Sequence, residues 1–499
     1  MTALSTIALG NTNRRRWIAL VVVCLAMLMN ALDSSIVNVA LPSIQRSLHF
    51  SQANLTWVVD AYLISFGSFL LLAGRLGDLF GRKRVFLAGV GVFTLSSLVC
   101  SLATSQLMLI AARFMQGLGG AVSTSVIVAI IVTEFPGAAE RAKAMSAYMF
   151  VAVGGGSIGL LVGGILTQAV NWHWIFVINV PIGALTILLG SILIKENPGI
   201  GISEGLDIAG SLMMTGSLVL GIYTIVKASS YGWVSGHTFV TGALALSLMG
   251  VFAIYESRLA KPILPVHILK IRSLTTSSIV RGLSFSSMFS VFFFGALYLE
   301  KVLGYAPLRT GLAFLPMTLI MAFMSLGLTS RLLMRYGPIR LLVPGTLAVI
   351  VGLLLLTRTG VHSNYLFAVL PSFVLLGAGM SISAVPLLTI AMADVPKADA
   401  GIASGIVNVS MWLASSAALA VFGTLAASTT SSRIRAGVTP SQALVDGFHL
   451  TFFAGVICAT LGLLVTLMFH RTPTKEVASG EVTFDEVDDG EYDVFVHEI

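Results

Sequence analysis

Among the ionisable residues inside apolar stretches of the chain, where a charge is expensive and marks a functional site by default, three can be compared by depth. Asp33 falls 16 residues after Trp17, which at helical rise places it about 24 Å along its stretch. Arg113 lies about seven residues into another stretch, about 10 Å deep, and Asp60 about six residues into a third, about 9 Å deep. Successive spans run in opposite directions, so all three reach a similar depth in the outer half of a hydrocarbon core of about 30 Å. The set holds one more acid than it holds cations. An arginine beside a carboxylate favours the ionised form while burial opposes it. An acid balanced between those effects can take up and release a proton. Asp33 is expected to carry that proton, Arg113 to tune it, and Asp60 to help hold positive charge. For Asp33 and Arg113 the plainer alternative is a static ion pair that only fixes helix packing.

Polar and aromatic residues in the same stretches offer a candidate substrate cavity: Asn30, Asn38, Gln116, Phe285, Phe289, Asn408 and Trp412. Aromatic rings can stack on an aromatic or cationic ligand, although core or lipid-facing packing is the commoner use of such rings. Arg281, about 10 Å from the inner face, reads as a snorkelling side chain. Glu300 beside Lys301 reads as a surface pair or a second cation-attracting site.

Other chemistries lack their residues. Cys24, Cys100 and Cys458 sit singly in apolar stretches without metal-ligand spacing. His173 and His449 have none either, so neither a metal nor a cofactor is expected. No Gly-rich phosphate loop with a lysine appears, which leaves ATP without a site and a proton gradient as the expected energy source. No nucleophile–base constellation shares a depth, so no enzyme is expected and there are no candidate catalytic residues.

The elements that must position these residues are membrane helices. Hydrophobic residues make up 56% of the 499 and charged ones only 10%, and the mean hydropathy is +0.94. A soluble domain carries about 25% charged residues. Fourteen apolar stretches of span length follow one another, from about 17–38 to about 448–469. The stretch after Arg14-Arg15-Arg16 resembles a signal peptide, but Asp33 interrupts it and no small-residue cleavage site follows, so it reads as a retained first span. Of the 29 Lys and Arg, 20 fall in loops on the N-terminal side and seven on the other, with Arg113 and Arg281 inside spans. That bias places both termini in the cytoplasm of a cell with the chain in its inner membrane. Basic residues in short loops between apolar stretches also argue against a nucleic-acid face.

The expected organisation is an all-α membrane protein. It comprises an N-terminal tail at 1–16, a six-helix bundle at 17–195 and an inserted helix pair with a linker at 196–272. A second six-helix bundle follows at 273–470, then an acidic tail at 471–499. Nine of the 22 acids lie between Glu476 and Glu498, and that tail is too polar to fold alone. Gly81-Arg82-Lys83-Arg84 is echoed by Gly337-Pro338-Ile339-Arg340, as two related halves would require.

Four motifs carry a family resemblance. Gly74-Arg75-Leu76-Gly77-Asp78-Leu79-Phe80-Gly81-Arg82-Lys83-Arg84 resembles the signature loop of the major facilitator superfamily. Leu32-Asp33-Ser34-Ser35-Ile36-Val37-Asn38 and the residues to Pro42 are similar to the first-helix motif of its fourteen-span drug:proton antiporter branch. Arg113-Phe114-Met115-Gln116-Gly117 resembles the fourth-helix motif, whose Arg is implicated in proton coupling. Trp172-His173-Trp174-Ile175-Phe176, with Asn179-Val180-Pro181-Ile182-Gly183, is similar to the branch's sixth span. The resemblance implies a monomeric antiporter that exports lipophilic, cationic or aromatic compounds. A narrow exporter of one metabolite, antibiotic or lipid is the alternative, and a receptor without transport a more distant one. It also implies that Gly74, Asp78, Gly81, Arg82 and Arg84 form a conformational latch. Gly155, Gly159, Gly163 and Gly164 should permit close helix packing. Two departures stand out. Leu160 replaces a proline of the fifth-helix antiporter motif, which weakens the inference of export. Met411-Trp412 replaces an Arg-Gln pair, which points to an altered pocket.

Overall fold

The computed structural model describes all residues except 1, 53, 197–198, 200–206, 260–267, 269, 325–327, 397–399 and 470–499. The acidic tail and most of the linker around the inserted pair therefore lie outside the described residues.

Apolar stretches become helices because, in lipid, backbone N–H and C=O groups must be satisfied within the segment. The first group of helices is α1 (Thr2–Leu48), α2 (Trp57–Phe80), α3 (Arg82–Ser101), α4 (Gln106–Glu134), α5 (Ala138–Ala169), the short α6 (Trp174–Val177) and α7 (Asn179–Leu193). The inserted pair is α8 (Ile208–Tyr231) and α9 (Gly236–Arg258). The second group is α10 (Arg272–Lys301), α11 (Pro307–Phe323), α12 (Thr329–Tyr336), α13 (Pro338–Leu356), α14 (Leu370–Met392), α15 (Ala400–Arg435) and α16 (Pro440–Phe469). Among the described residues, eleven helices are long and apolar enough to cross a membrane. Two shorter apolar stretches, Leu212–Ile225 and Pro307–Phe323, accompany them. The chain is an all-helical, multi-pass membrane protein.

Within the first group α1 packs on α5 and α7, and α4 on α2 and α3. Within the second, α10 packs on α15 and α16, and α13 on α14 and α16. The groups meet where α5 lies on α11 and where α2 lies on α15, while α8 leans on α15 and α2. Small residues bring the backbones together. A Cβ on Gly159 would lie 2.8 Å from the Leu32 carbonyl oxygen, and one on Gly163 2.8 Å from that of Ile36. Gly155 meets Ala31 on the same face, so all three glycines seat α5 on α1. Gly164 turns the other way, onto Pro307 and Leu308 of α11. Without proline at 160, α5 runs unbroken from Ala138 to Ala169, and the Leu160 carbonyl abuts Gly311.

At the end remote from the N-terminus the groups interlock. Gln168 accepts the Leu308 N–H at 3.2 Å, and Lys301 donates to Gln45. A Cβ on Gly423 would collide with Thr56, at the start of α2.

Candidate functional site

Asp33 and Arg113 meet in the core of the first group, both sealed from solvent. Arg113 Nη1 lies 2.5 Å from Asp33 Oδ2. The same nitrogen donates to Gln116 Oε1 at 2.6 Å, and Arg113 Nε donates to the Val58 carbonyl at 2.9 Å. Gln116 Nε2 donates to Asp33 Oδ1 at 2.8 Å and to Ser97 Oγ at 2.7 Å. Asn179 Nδ2 reaches Asp33 Oδ1 at 3.3 Å. The guanidinium also sits 4.5 Å from the Tyr62 ring and 5.8 Å from that of Phe176. Side chains from α1, α2, α3, α4, α6 and α7 thus enclose a single carboxylate. Leaving either partner of such a pair alone costs about 3–5 kcal/mol, so the pair can separate only if something else neutralises a partner. A proton on Asp33 would neutralise the acid and leave the Arg113 charge to its other acceptors, Gln116 Oε1 and the Val58 carbonyl.

Gln116, expected in the substrate cavity, belongs instead to this network. It follows Arg113 by three residues and therefore shares its helix face. Asn30 is likewise packed inside the first group. Its Nδ2 donates to the Ala26 carbonyl at 3.1 Å and reaches Ser123 and Thr124 of α4, and the Tyr62 hydroxyl approaches its Oδ1. Asn38 is buried and donates to the Ser34 and Ser35 carbonyls of its own helix. Neither asparagine is more than 5% exposed.

Asp60 is fully buried, but it does not join the pair as its depth suggested. Its Oδ1 accepts the Ser416 hydroxyl of α15 at 3.0 Å, so it lies on the seam between the groups. Helical phase explains the difference. Tyr62, which faces Arg113, is two residues away and so about 200° around α2.

Two of the expected aromatic residues do meet. Phe289 lies 6.1 Å from Trp412, and Trp412 lies 4.8 Å from Phe66 of α2. Phe66 in turn lies 5.7 Å from Tyr62. A line of rings therefore runs from α10 across the seam to the arginine of the buried pair. Phe285, half-buried, continues this face of α10, and Asn408 is half-buried on α15.

In the loop between α2 and α3, Gly81 has φ of 93°, a left-handed conformation that suits glycine. Arg82 donates to Thr133 Oγ1 at 2.7 Å, and Arg84 pairs with Glu196 at 3.0 Å. These partners tie the loop to the ends of α4 and α7 in its own group. Among the described residues, nothing lies within 4 Å of where a Cβ on Gly74 would stand. The side chain of Asp78 lies outside the described residues.

Reading the sequence missed Asn179, Ser97, Tyr62 and Phe66 as site residues. Asn179 carried a signal, since it opens the Asn179-Val180-Pro181 motif. Ser97 and the two rings carried none, because a serine or an aromatic residue in an apolar helix is ordinary.

Comparison with known proteins fits this architecture. Residues 23–421 match the Major Facilitator Superfamily family model, and the chain belongs to that superfamily. It is therefore a membrane transporter of small molecules and not an enzyme. It is 36% identical to puromycin resistance protein pur8 of Streptomyces alboniger, over 94% of this chain and 95% of that one. It is 34% identical to cephamycin export protein CmcT of Amycolatopsis lactamdurans, over 83% and 85%. Among solved structures, a bacterial homologue of the human lysosomal transporter Spinster superposes with a TM-score of 0.64 at 16% identity, over 91% of this chain and 98% of that one. The xylose transporter XylE of E. coli gives 0.62 at 14%, over 92% and 98%. Those two likenesses concern the fold alone.

Proposed function

We propose that this chain is a proton-coupled antiporter that exports lipophilic, aromatic or cationic drugs or toxic compounds across the cytoplasmic membrane. The observation that carries the proposal is the sealed Asp33–Arg113 pair, linked through Tyr62 and Phe66 to Trp412 and Phe289 at the seam. Protonation of Asp33 weakens its hold on Arg113, and Tyr62 transmits the change to rings that a substrate would touch. Asp60, against Ser416, provides a second acid at the seam that can hold positive charge. Relatives named for puromycin resistance and cephamycin export support the export of drug-like compounds.

In this reading α2 and the two shorter apolar stretches bring the spans to fourteen, α8 and α9 being the inserted pair. The protein acts as a monomer with both termini in the cytoplasm. The interlocked end then faces outward, so this conformation is closed to the outside. Export by one narrow specificity remains the second reading, favoured by Trp412 in the seam.

The Asp33→Asn variant tests the coupling in proteoliposomes. Flux driven by a pH gradient, measured per folded transporter, should fall at least tenfold while substrate binding holds. Unchanged gradient-driven flux would exclude a proton role for Asp33.

A further inference from the structure

We infer that Arg281 is a substrate-recognition residue, and that the compounds this transporter selects carry an anionic group on an aromatic body. The inference rests on the export reading above and, within it, selects aromatic compounds with an anionic group over cationic ones.

Arg281 does not point toward lipid. Ile279, two residues earlier and so about 200° around α10, is the residue exposed on the outer surface, at 50%. The other directions around α10 are taken by its neighbours in the second group. Ser286 donates to the Ala414 carbonyl of α15 at 3.0 Å, and a Cβ on Gly282 would lie 2.8 Å from that of Ala414. Ser287 donates to the Gly455 carbonyl of α16 at 2.9 Å. Val280 packs with Leu342 of α13 and with Leu387 and Ile390 of α14. The sector left over lies opposite α16, and it carries Arg281 and Phe285.

In that sector the Arg281 guanidinium lies 5.3 Å from the Phe285 ring. Its Nε is buried and has no hydrogen-bond partner among the described residues. Such a donor costs free energy until an acceptor fills it. One turn beyond Phe285 comes Phe289, and its contact with Trp412 leads across the seam to Phe66. A cation with an unused Nε donor therefore stands on the helix face whose rings lead, through Phe289 and Trp412, to the seam between the two groups. Guanidinium matches carboxylate or phosphate geometry with two parallel N–H donors. A ligand with an aromatic body and a carboxylate fits both features. The neighbouring acid, Asp60, already has a donor in Ser416, which lies one turn beyond Trp412 on α15.

Equilibrium binding to the full chain in nanodiscs, with no pH gradient, tests this. The probes are anthracene-9-carboxylate, its methyl ester and anthracen-9-ylmethylammonium. The wild type should bind the carboxylate at least tenfold more tightly than the ester or the ammonium. Arg281→Gln should erase that preference while ester binding stays within about twofold, and Arg281→Lys should restore part of it. The inference is overturned if the wild type shows no carboxylate preference, absent binding included. It is also overturned if Arg281→Gln keeps the preference or weakens ester and carboxylate equally. Gradient-driven flux of the same probes is measured separately. Its loss of pH dependence would count against proton coupling and leave the binding result to stand alone.

Discussion

At the scale of single residues, the deciding fact is that Asp33 is held by three donors and one of them is a cation. Removing Arg113 strands a buried carboxylate, whereas removing both partners strands nothing. Arg113→Ala should therefore destabilise the protein by about 3–5 kcal/mol, read as a lower thermal midpoint in detergent. The double variant Asp33→Asn with Arg113→Ala should recover most of that loss. A double variant as unstable as the single would mean that the pair is not the source of the cost. The pairing of Asp33 with Arg113 was legible from counting residues along helices, because depth depends only on rise. Asp60 was not placed correctly, because its partner depends on rotation about α2 and on which helix of the second group lies opposite. Gln116 was misplaced for a related reason: its type suits a polar cavity, and only its spacing from Arg113 reveals the network.

At the scale of helices, the glycines of α5 separate two tasks. Gly155, Gly159 and Gly163 seat α5 on α1, the helix that carries Asp33, while Gly164 meets α11 of the other group. Gly159→Val should force α1 and α5 apart at the level of Leu32 and cost about 1–3 kcal/mol by overpacking. Gly74→Ala, with no described residue within 4 Å of the added Cβ, should leave stability unchanged, so any transport defect in it would report on motion of the α2–α3 loop. Thermal unfolding and flux measured on both variants check this, and a stable Gly159→Val protein would contradict the packing. The regular small-residue spacing made the α5 contact readable in sequence. The meeting of α2 with α15 was hidden, since Phe66 and Trp412, which touch, are far apart along the chain and no periodicity links them. The number of spans also stayed coarser in structure than in sequence, because α2 is not among the eleven described spans and α8 and α11 hold shorter apolar stretches than their neighbours.

At the scale of the whole molecule, two helix groups touch firmly at one end and share a row of aromatic rings at the middle. Alternating access requires that the firm end open during each cycle. A disulfide across it should therefore arrest transport. With Cys24, Cys100 and Cys458 replaced, the pair Thr56→Cys and Gly423→Cys, whose Cβ atoms would stand 3.7 Å apart as a disulfide requires, should oxidise readily and lose flux, and a reductant should restore it. Flux that persists after complete oxidation would contradict the rocking of these two groups. The most direct test of the central claim follows the proton itself. In proteoliposomes with a trapped pH indicator, added substrate should dissipate an imposed pH gradient through the wild type and fail to do so through Asp33→Asn. Equal proton movement through both proteins, or none through a wild type that still carries substrate, would contradict the account.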